Sequence, residues 1–249
     1  MFDPALANTF QSYTIYHLIP VLIVFFFIFL IIFYKDKLRT WKHLTLFTYI
    51  LAGLTLGQEL SLNIYRIILG QWEIATSLPL QLCGLGVLTS SYLVITKNEK
   101  VFQNVFFIMM IGATMAILTP AIEDNLGFPH YRYFQFFFSH GMILINFTVL
   151  LFVYNFQKNI RYRLLLNNFI ALIGIAAVMF LIDLATHGNY LYLMGKPGEG
   201  TAFDLFGEWP WYVLNLLIFG IPIFFHLFYI PFFIRDFRRY RKQKALLSA

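Results

Sequence analysis

Long apolar runs recur along the whole chain, and short polar stretches separate them. Most runs reach the roughly 20 residues that a helix needs to cross a bilayer. The stretches between them are too short to form a soluble domain. We therefore predict one all-α domain over residues 1–249, a polytopic membrane helical bundle of seven transmembrane helices. The predicted spans are about 14–34, 43–65, 78–96, 101–120, 134–154, 164–186 and 211–234.

The basic residues indicate how these helices are oriented. Lys and Arg total 18, and all but three fall in alternate connections or in the tail that starts at Arg235. The three exceptions are Arg66, Arg132 and Lys196. Cytoplasmic loops carry an excess of Lys and Arg. The distribution therefore predicts an N-terminus outside and a cytoplasmic C-terminus.

The composition excludes several classes of function. Hydrophobic residues make up 59% of the chain and charged residues 12%, about half the charged share of a soluble domain. The net charge of +6 is spread over alternate connections, so we predict no nucleic-acid partner. A single cysteine excludes an internal disulfide and a cysteine-cluster metal site. The sequence contains neither the HExxH motif of zinc proteases nor the GxSxG motif of serine hydrolases.

Four chemically active side chains share one depth when the spans are aligned by this topology. Cys83 lies about five residues inside the third span and His140 about six residues inside the fifth, roughly 8 and 9 Å below the outer ends. Glu59 lies at a similar depth in the second span, and Asp183 lies a few residues below the outer end of the sixth. Charged groups inside spans are costly and normally face the bundle interior. The layer is therefore a candidate site.

A cysteine and a histidine at equal depth suggest nucleophilic catalysis. The thiolate attacks an acyl carbon, and the imidazole takes the thiol proton and later serves the leaving group. Apolar surroundings alone would leave the thiol inert, so Cys83 requires His140. We expect the third helix to open at Leu78, capped by Thr76 or Ser77, with free N–H groups available to an oxyanion.

Other interpretations of this layer remain open. Each polar side chain could make a separate packing hydrogen bond, and Glu59 could pair with Arg66 along one helical stripe. Glu59, His140 and Asp183 could instead coordinate a metal ion, although we predict neither a metal nor a cofactor. The layer could also be the pocket of a non-enzymatic binding or transport protein. The connection over residues 189–210 is a candidate lid or a plain connector.

Six motifs occur in order between Glu59 and Tyr212: ELSLNIYR, LPLQLC, ILTP, FPHYRYFQFFFSHG, NYLYLMGKP and FDLFGEWPWY. In these motifs the chain resembles the YwaF-like bacterial integral membrane proteins, which are related to eukaryotic transmembrane protein 164. The resemblance implies a seven-span fold in a bacterial plasma membrane. The family motif usually reads LPLHLC, whereas this chain has Gln81. Two residues along a helix is about 200°, so Gln81 should face away from Cys83.

The resemblance also implies a function. The eukaryotic relative is a lipid acyltransferase with a cysteine nucleophile, which falls on Cys83, and the histidine of the SHG motif falls on His140. The implied activity is that of an acyltransferase or acyl hydrolase that acts on outer-leaflet phospholipid through a thioester. Phospholipid or lysophospholipid would be the partner. Residues that could orient the histidine or position the substrate are Glu59, Asp183, His130 and Lys196.

Overall fold

The structure is a computed structural model that describes residues 8–120, 122, 126–197 and 202–247. Every regular element within these ranges is helical. The α-helices are α1 (Ile15–Phe33), α2 (Lys35–Arg39), α3 (Leu44–Ile68), α4 (Leu82–Thr96), α5 (Glu99–Leu118), α6 (Tyr131–Thr148), α7 (Arg163–Thr186), α8 (Trp211–Asn215) and α9 (Ile221–Leu247). A π-helical segment, Val149–Val153, prolongs α6, and a second, Leu216–Gly220, joins α8 to α9. Short 3-10 helices lie at Phe156–Asn159, Tyr190–Tyr192 and Ala202–Phe206.

Five of these helical stretches are long and apolar enough to cross a membrane. They are Ile15–Phe33, Glu99–Leu118, Tyr131–Val153, Arg163–Thr186 and Trp211–Arg241. The apolar helix α4 has only 15 residues, and α3 has 25 residues but carries many polar side chains. The predicted all-helical membrane fold is thus confirmed. The count of seven spans, the orientation and the assignment of residues 1–249 to one domain stay predictions.

Helix α6 lies at the centre of the bundle. It packs against α1, α3, α4 and α5, while α7 and α9 pack on α5. Gly141 of α6 makes the approach of α1 possible, because a Cβ there would lie 2.7 Å from a methyl group of Val24. Toward α4, a Cβ added at Gly86 would lie 3.0 Å from the Cδ1 atom of Ile143 in α6. Small residues let membrane helices approach closely, so α6 is held on both sides.

A buried polar contact joins the three helices that surround the candidate site. Asn146 of α6 donates to the hydroxyl groups of Thr55 in α3, at 3.0 Å, and Ser90 in α4, at 3.3 Å. Thr55 and Ser90 donate in turn to carbonyl groups of their own helices. All three residues are fully buried. Hydrogen bonds of this kind fix the relative rotation of membrane helices.

Candidate functional site

The side chains of Cys83 and His140 meet between α4 and α6. His140 Nε2 lies 2.8 Å from Cys83 Sγ, and its Nδ1 lies 2.7 Å from the carbonyl oxygen of Phe136. A carbonyl oxygen only accepts hydrogen bonds, so Nδ1 carries the proton of the neutral ring and Nε2 presents a lone pair to the thiol. This is the tautomer that a general base requires. The structure thus brings the two residues together with the imidazole, 5% exposed, already oriented.

The start of α4 differs from the prediction. The helix begins at Leu82 and not at Leu78, so Cys83 is its second residue rather than lying more than a turn inside. The residues before it form a turn, in which Leu80 N donates to Leu78 O at 2.7 Å. Proline disfavours a helical conformation in the residue before it, which explains why the helix does not begin at Leu78. The turn folds back on Gly84, where a Cβ would lie 2.6 Å from the backbone of Pro79.

This shift places the thiol at a helix N-terminus. Leu85 N donates to Gln81 O at 2.9 Å, which is the first hydrogen bond of α4. The N–H groups of residues 82–84 therefore have no carbonyl partner within the helix. The N-terminal end of a helix carries a partial positive charge that favours anions, including thiolates. Cys83 lies where this effect is largest.

The predicted cap of α4 is wrong. The hydroxyl of Ser77 accepts a hydrogen bond from Glu73 N at 3.1 Å and belongs to the preceding turn. The N-cap residue is Gln81, and its side chain makes no cap hydrogen bond. It reaches instead to the connection after α7, where Oε1 accepts from Leu191 N at 2.9 Å and Nε2 donates to Asn189 O at 3.0 Å.

A polar chain that sequence reasoning missed runs beside His140. Arg132 donates to Gln135 Oε1, Gln135 Nε2 donates to Gln58 Oε1 at 2.8 Å, and Gln58 Nε2 donates to Ser139 Oγ at 3.1 Å. Gln58, Gln135 and Ser139 are buried. Since Ser139 precedes His140 in α6, the chain holds this part of α6 against α3. The helical period of the buried α3 positions would have revealed Gln58.

Glu59 lies next to Gln58 in α3, and the orienting role predicted for it stays a prediction. Gln58 faces the bundle interior, whereas Glu59 is only half-buried. Asn63 donates to the backbone oxygen of Glu59 at 3.0 Å and to its Oε1 at 3.4 Å. The structure does not bring Glu59 onto the imidazole of His140, because Nδ1 is occupied by the carbonyl group of Phe136. One residue along a helix is a rotation of about 100°, which separates the two positions.

His130 and Asp183 hold local structure. His130 is the N-cap of α6, and its Nδ1 accepts from Arg132 N at 3.2 Å. Asp183 Oδ1 accepts from Tyr190 N at 2.7 Å and ties the end of α7 to the following 3-10 helix. Both side chains are almost fully buried. His130 therefore positions the start of α6 and Asp183 the segment after α7, while the roles predicted for them toward the substrate stay predictions.

Lys196 lies in the connection between α7 and α8, of which residues 198–201 lie outside the described ranges. Its ammonium group is 3.2 Å from Asp204 Oδ1 and 2.8 Å from Glu208 Oε1. The hydrogen bond to Glu208 and the charges of both carboxylates raise the pKa of Lys196. Trp209 Nε1 donates to Leu193 O at 3.0 Å. These contacts fold the connection on itself, and Gln81 attaches it to the start of α4.

The metal-site alternative finds no support in the part of the chain that the structure describes. No group of three or more His, Cys, Asp or Glu residues there could hold a metal ion. Glu59, His140 and Asp183 make separate contacts with Asn63, Phe136 and Tyr190.

The model of the TMEM164 family matches residues 9–228 of the 249-residue chain. The chain belongs to the TMEM164 family. The matched range includes both Cys83 and His140, and it extends from the residues before α1 into α9. The predicted relationship to transmembrane protein 164 is thereby confirmed, while the narrower YwaF-like assignment stays a prediction. Neither the curated proteins nor the solved structures give a match to this TMEM164-family protein.

Proposed function

We propose that this membrane protein is a lipid acyltransferase or acyl hydrolase in which Cys83 is the nucleophile and His140 the general base and acid. The contact between Nε2 and Sγ at 2.8 Å carries the proposal, because Nδ1 is held by a helix carbonyl and the base faces the thiol. The position of Cys83 in the first turn of α4 supports it, since a thiolate is favoured there.

The reaction has two halves that balance. Nε2 takes the thiol proton as Sγ bonds to the acyl carbon of a phospholipid ester, and the ester C–O bond breaks. The proton passes from Nε2 to the departing oxygen, which leaves as lysophospholipid, and the acyl group remains as a thioester on Cys83. In the second half an alcohol acceptor or water attacks the thioester carbon while His140 Nε2 takes its proton. The C–S bond breaks, the acyl group leaves as a new ester or as a fatty acid, and Nε2 returns the proton to Sγ, which restores the thiol.

The substrate class follows from where the dyad lies. Cys83 is the second residue of α4, and His140 reaches it from the tenth residue of α6. With the N-terminus outside, the start of α4 faces the outer leaflet, so the proposed donor is an outer-leaflet phospholipid. The proposed location is the bacterial plasma membrane. No cofactor enters either half of the reaction.

The chain offers a clean test, because Cys83 is its single cysteine. Purified protein is incubated with a phospholipid that carries an isotope-labelled acyl chain, and the intact mass is measured. We expect one acyl group per chain, removable by hydroxylamine, and none on the Cys83→Ala variant. The His140→Ala variant should acylate about 100-fold or more slowly, since general-base catalysis contributes roughly 10²–10⁴. The matched control is His226→Ala, which removes a histidine bonded to Tyr162 on the outside of the bundle.

The other outcome defines the alternative function. Two observations together would contradict the enzyme: no thioester forms on the natural chain, and a Cys83→Ser variant binds lipid as well as the natural chain does. They would support a lipid-binding or transport protein instead. Equal rates of acylation in the natural chain and the His140→Ala variant would show that His140 is not the general base, and Cys83 would remain the nucleophile.

A further inference from the structure

The turn that follows Asn189 is docked on the residues that precede the thiol. The amide group of Gln81 pairs with the backbone on both of its polar atoms, accepting from Leu191 N at 2.9 Å and donating to Asn189 O at 3.0 Å. Gln81 is two residues from Cys83. A two-point contact of this kind fixes both the distance and the direction of the attached segment.

The docked turn has a conformation that needs support. Leu191 and Tyr192 both have a φ of 56°, a left-handed conformation that L residues with a side chain rarely adopt. The surroundings supply the support. Besides the contact with Gln81, the side chain of Asn189 bonds two backbone groups further along the turn, and the hydroxyl of Tyr212 donates to Tyr192 O. Strained backbone that is held in this way is often found where a side chain must be aimed.

The side chain that the turn carries is Tyr192. Burial raises the pKa of its phenol, and the charge of a Cys83 thiolate raises it further, while the Arg132 guanidinium lowers it. The phenol therefore keeps its proton and can donate a hydrogen bond. The turn that carries it is bonded to Gln81, two residues before Cys83. The ring of Phe203 lies edge-on to that of Tyr192, with the centroids 5.6 Å apart, and restricts its movement.

We propose that Tyr192 is a further catalytic residue and that Gln81 is its positioning residue. The inference rests on the proposed acyl transfer. As Sγ bonds to the acyl carbon, negative charge accumulates on the carbonyl oxygen. The Tyr192 hydroxyl donates a hydrogen bond to that oxygen, alongside the free N–H groups at the start of α4, and it transfers no proton. Gln81 acts only through the turn, by holding the segment that carries Tyr192 against the start of α4.

Two reactions of the same thiol separate this role from a structural one. Acylation by para-nitrophenyl octanoate develops an oxyanion and releases nitrophenolate, whereas alkylation by iodoacetamide occurs at a saturated carbon. We expect Tyr192→Phe to slow acylation about 100-fold, the effect of losing one oxyanion donor, and to leave alkylation unchanged. The Phe ring keeps the contact with Phe203, and the backbone acceptor for Tyr212 is untouched. The matched control is Tyr49→Phe on the exposed side of α3.

Gln81→Met tests the positioning role, because methionine has a similar size and lacks the amide. We expect acylation to slow by a similar factor and alkylation to become several-fold faster, since the thiol is less covered. A variant that carries both substitutions should be acylated no more slowly than Tyr192→Phe alone, because Gln81 acts only through Tyr192.

The outcomes separate the two proposals. If the natural chain forms no thioester with either the nitrophenyl ester or phospholipid, both the proposed acyl transfer and the proposed role of Tyr192 are refuted. A natural chain that acylates as fast as Tyr192→Phe overturns only the role of Tyr192. Equal slowing of acylation and alkylation by Tyr192→Phe also overturns it, since the hydroxyl would then be maintaining structure.

Discussion

Substituting Gly84 by alanine tests whether the turn before α4 positions the thiol. A Cβ at this residue would lie 2.6 Å from the Cα and carbonyl carbon of Pro79 and 2.7 Å from its oxygen. Those atoms are backbone, so no side-chain rotation can relieve the overlap. Because Gly84 follows Cys83 directly, any displacement of the turn or the helix moves the nucleophile.

The size of the effect follows from the geometry. An ordinary contact begins near 3.4 Å, so the backbone of Pro79 must move by about 0.8 Å. Overpacking of this kind costs about 1–3 kcal/mol in the free energy of unfolding. A misplacement of about 1 Å at a catalytic group lowers the rate about 100-fold, which corresponds to about 2.7 kcal/mol of activation free energy. The two effects should appear together in Gly84→Ala.

The measurements are the midpoint of thermal unfolding in detergent and the rate of acylation of Cys83 by para-nitrophenyl octanoate. The control is Gly53→Ala in α3, where no atom lies within 4 Å of the added Cβ. The control should keep both values, since it makes the same chemical change without the overlap. If Gly84→Ala matched Gly53→Ala in both measurements, the idea that the turn before α4 positions the thiol would be refuted.

Three further predictions concern other parts of the structure. Asn146→Leu should lower the free energy of unfolding by only about 1 kcal/mol, since each of its hydrogen bonds contributes about 0.6 kcal/mol in a membrane. Equilibrium unfolding measures this loss, and a value above about 3 kcal/mol would contradict the prediction. Lys196→Glu places a third carboxylate among its two acidic partners, so we expect iodoacetamide to alkylate Cys83 several-fold faster, with Lys158→Glu as the control and an unchanged rate as the contrary result. A membrane-impermeant thiol reagent should label Cys83 from outside intact cells, and labelling only in inverted vesicles would reverse the proposed topology.

The sequence predicts a shared depth for Cys83 and His140, because depth in a membrane depends on the distance of a residue from the end of its span. The distances themselves differ from the prediction, since Cys83 is the second residue of α4 and His140 the tenth of α6. Cys83 and His140 fall at similar depth by this reasoning, and their side chains are 2.8 Å apart. Their lateral proximity could not be derived in the same way. It depends on which helices are neighbours and how each is rotated, and small residues such as Gly86 and Gly141 decide that in three dimensions.

Rotation explains why Gln58 was missed. A carboxylate inside a span attracts functional interpretation, and a neutral amide beside it does not. The buried face of α3 passes through Thr55 and Gln58, so the amide faces α6 and the carboxylate lies to the side. The contacts of Gln81 were beyond prediction for another reason. The sequence indicates that its side chain points away from Cys83, but its partners, Asn189 and Leu191, are distant in the chain.

The candidate site is built from two parts of the structure, the packed helices that carry Cys83 and His140 and the turn that carries Tyr192. Of the five membrane-spanning stretches, α6 is the most buried and α7 the least. Cys83 and His140 lie on α4 and α6, which pack together with α3 and α5. The turn with Tyr192 is joined to α7 through Asp183 and to the start of α4 through Gln81. The contact between the thiol and the imidazole does not pass through that turn. The pair is thus assembled by the bundle alone, and the proposed oxyanion donor is supplied by a separate segment.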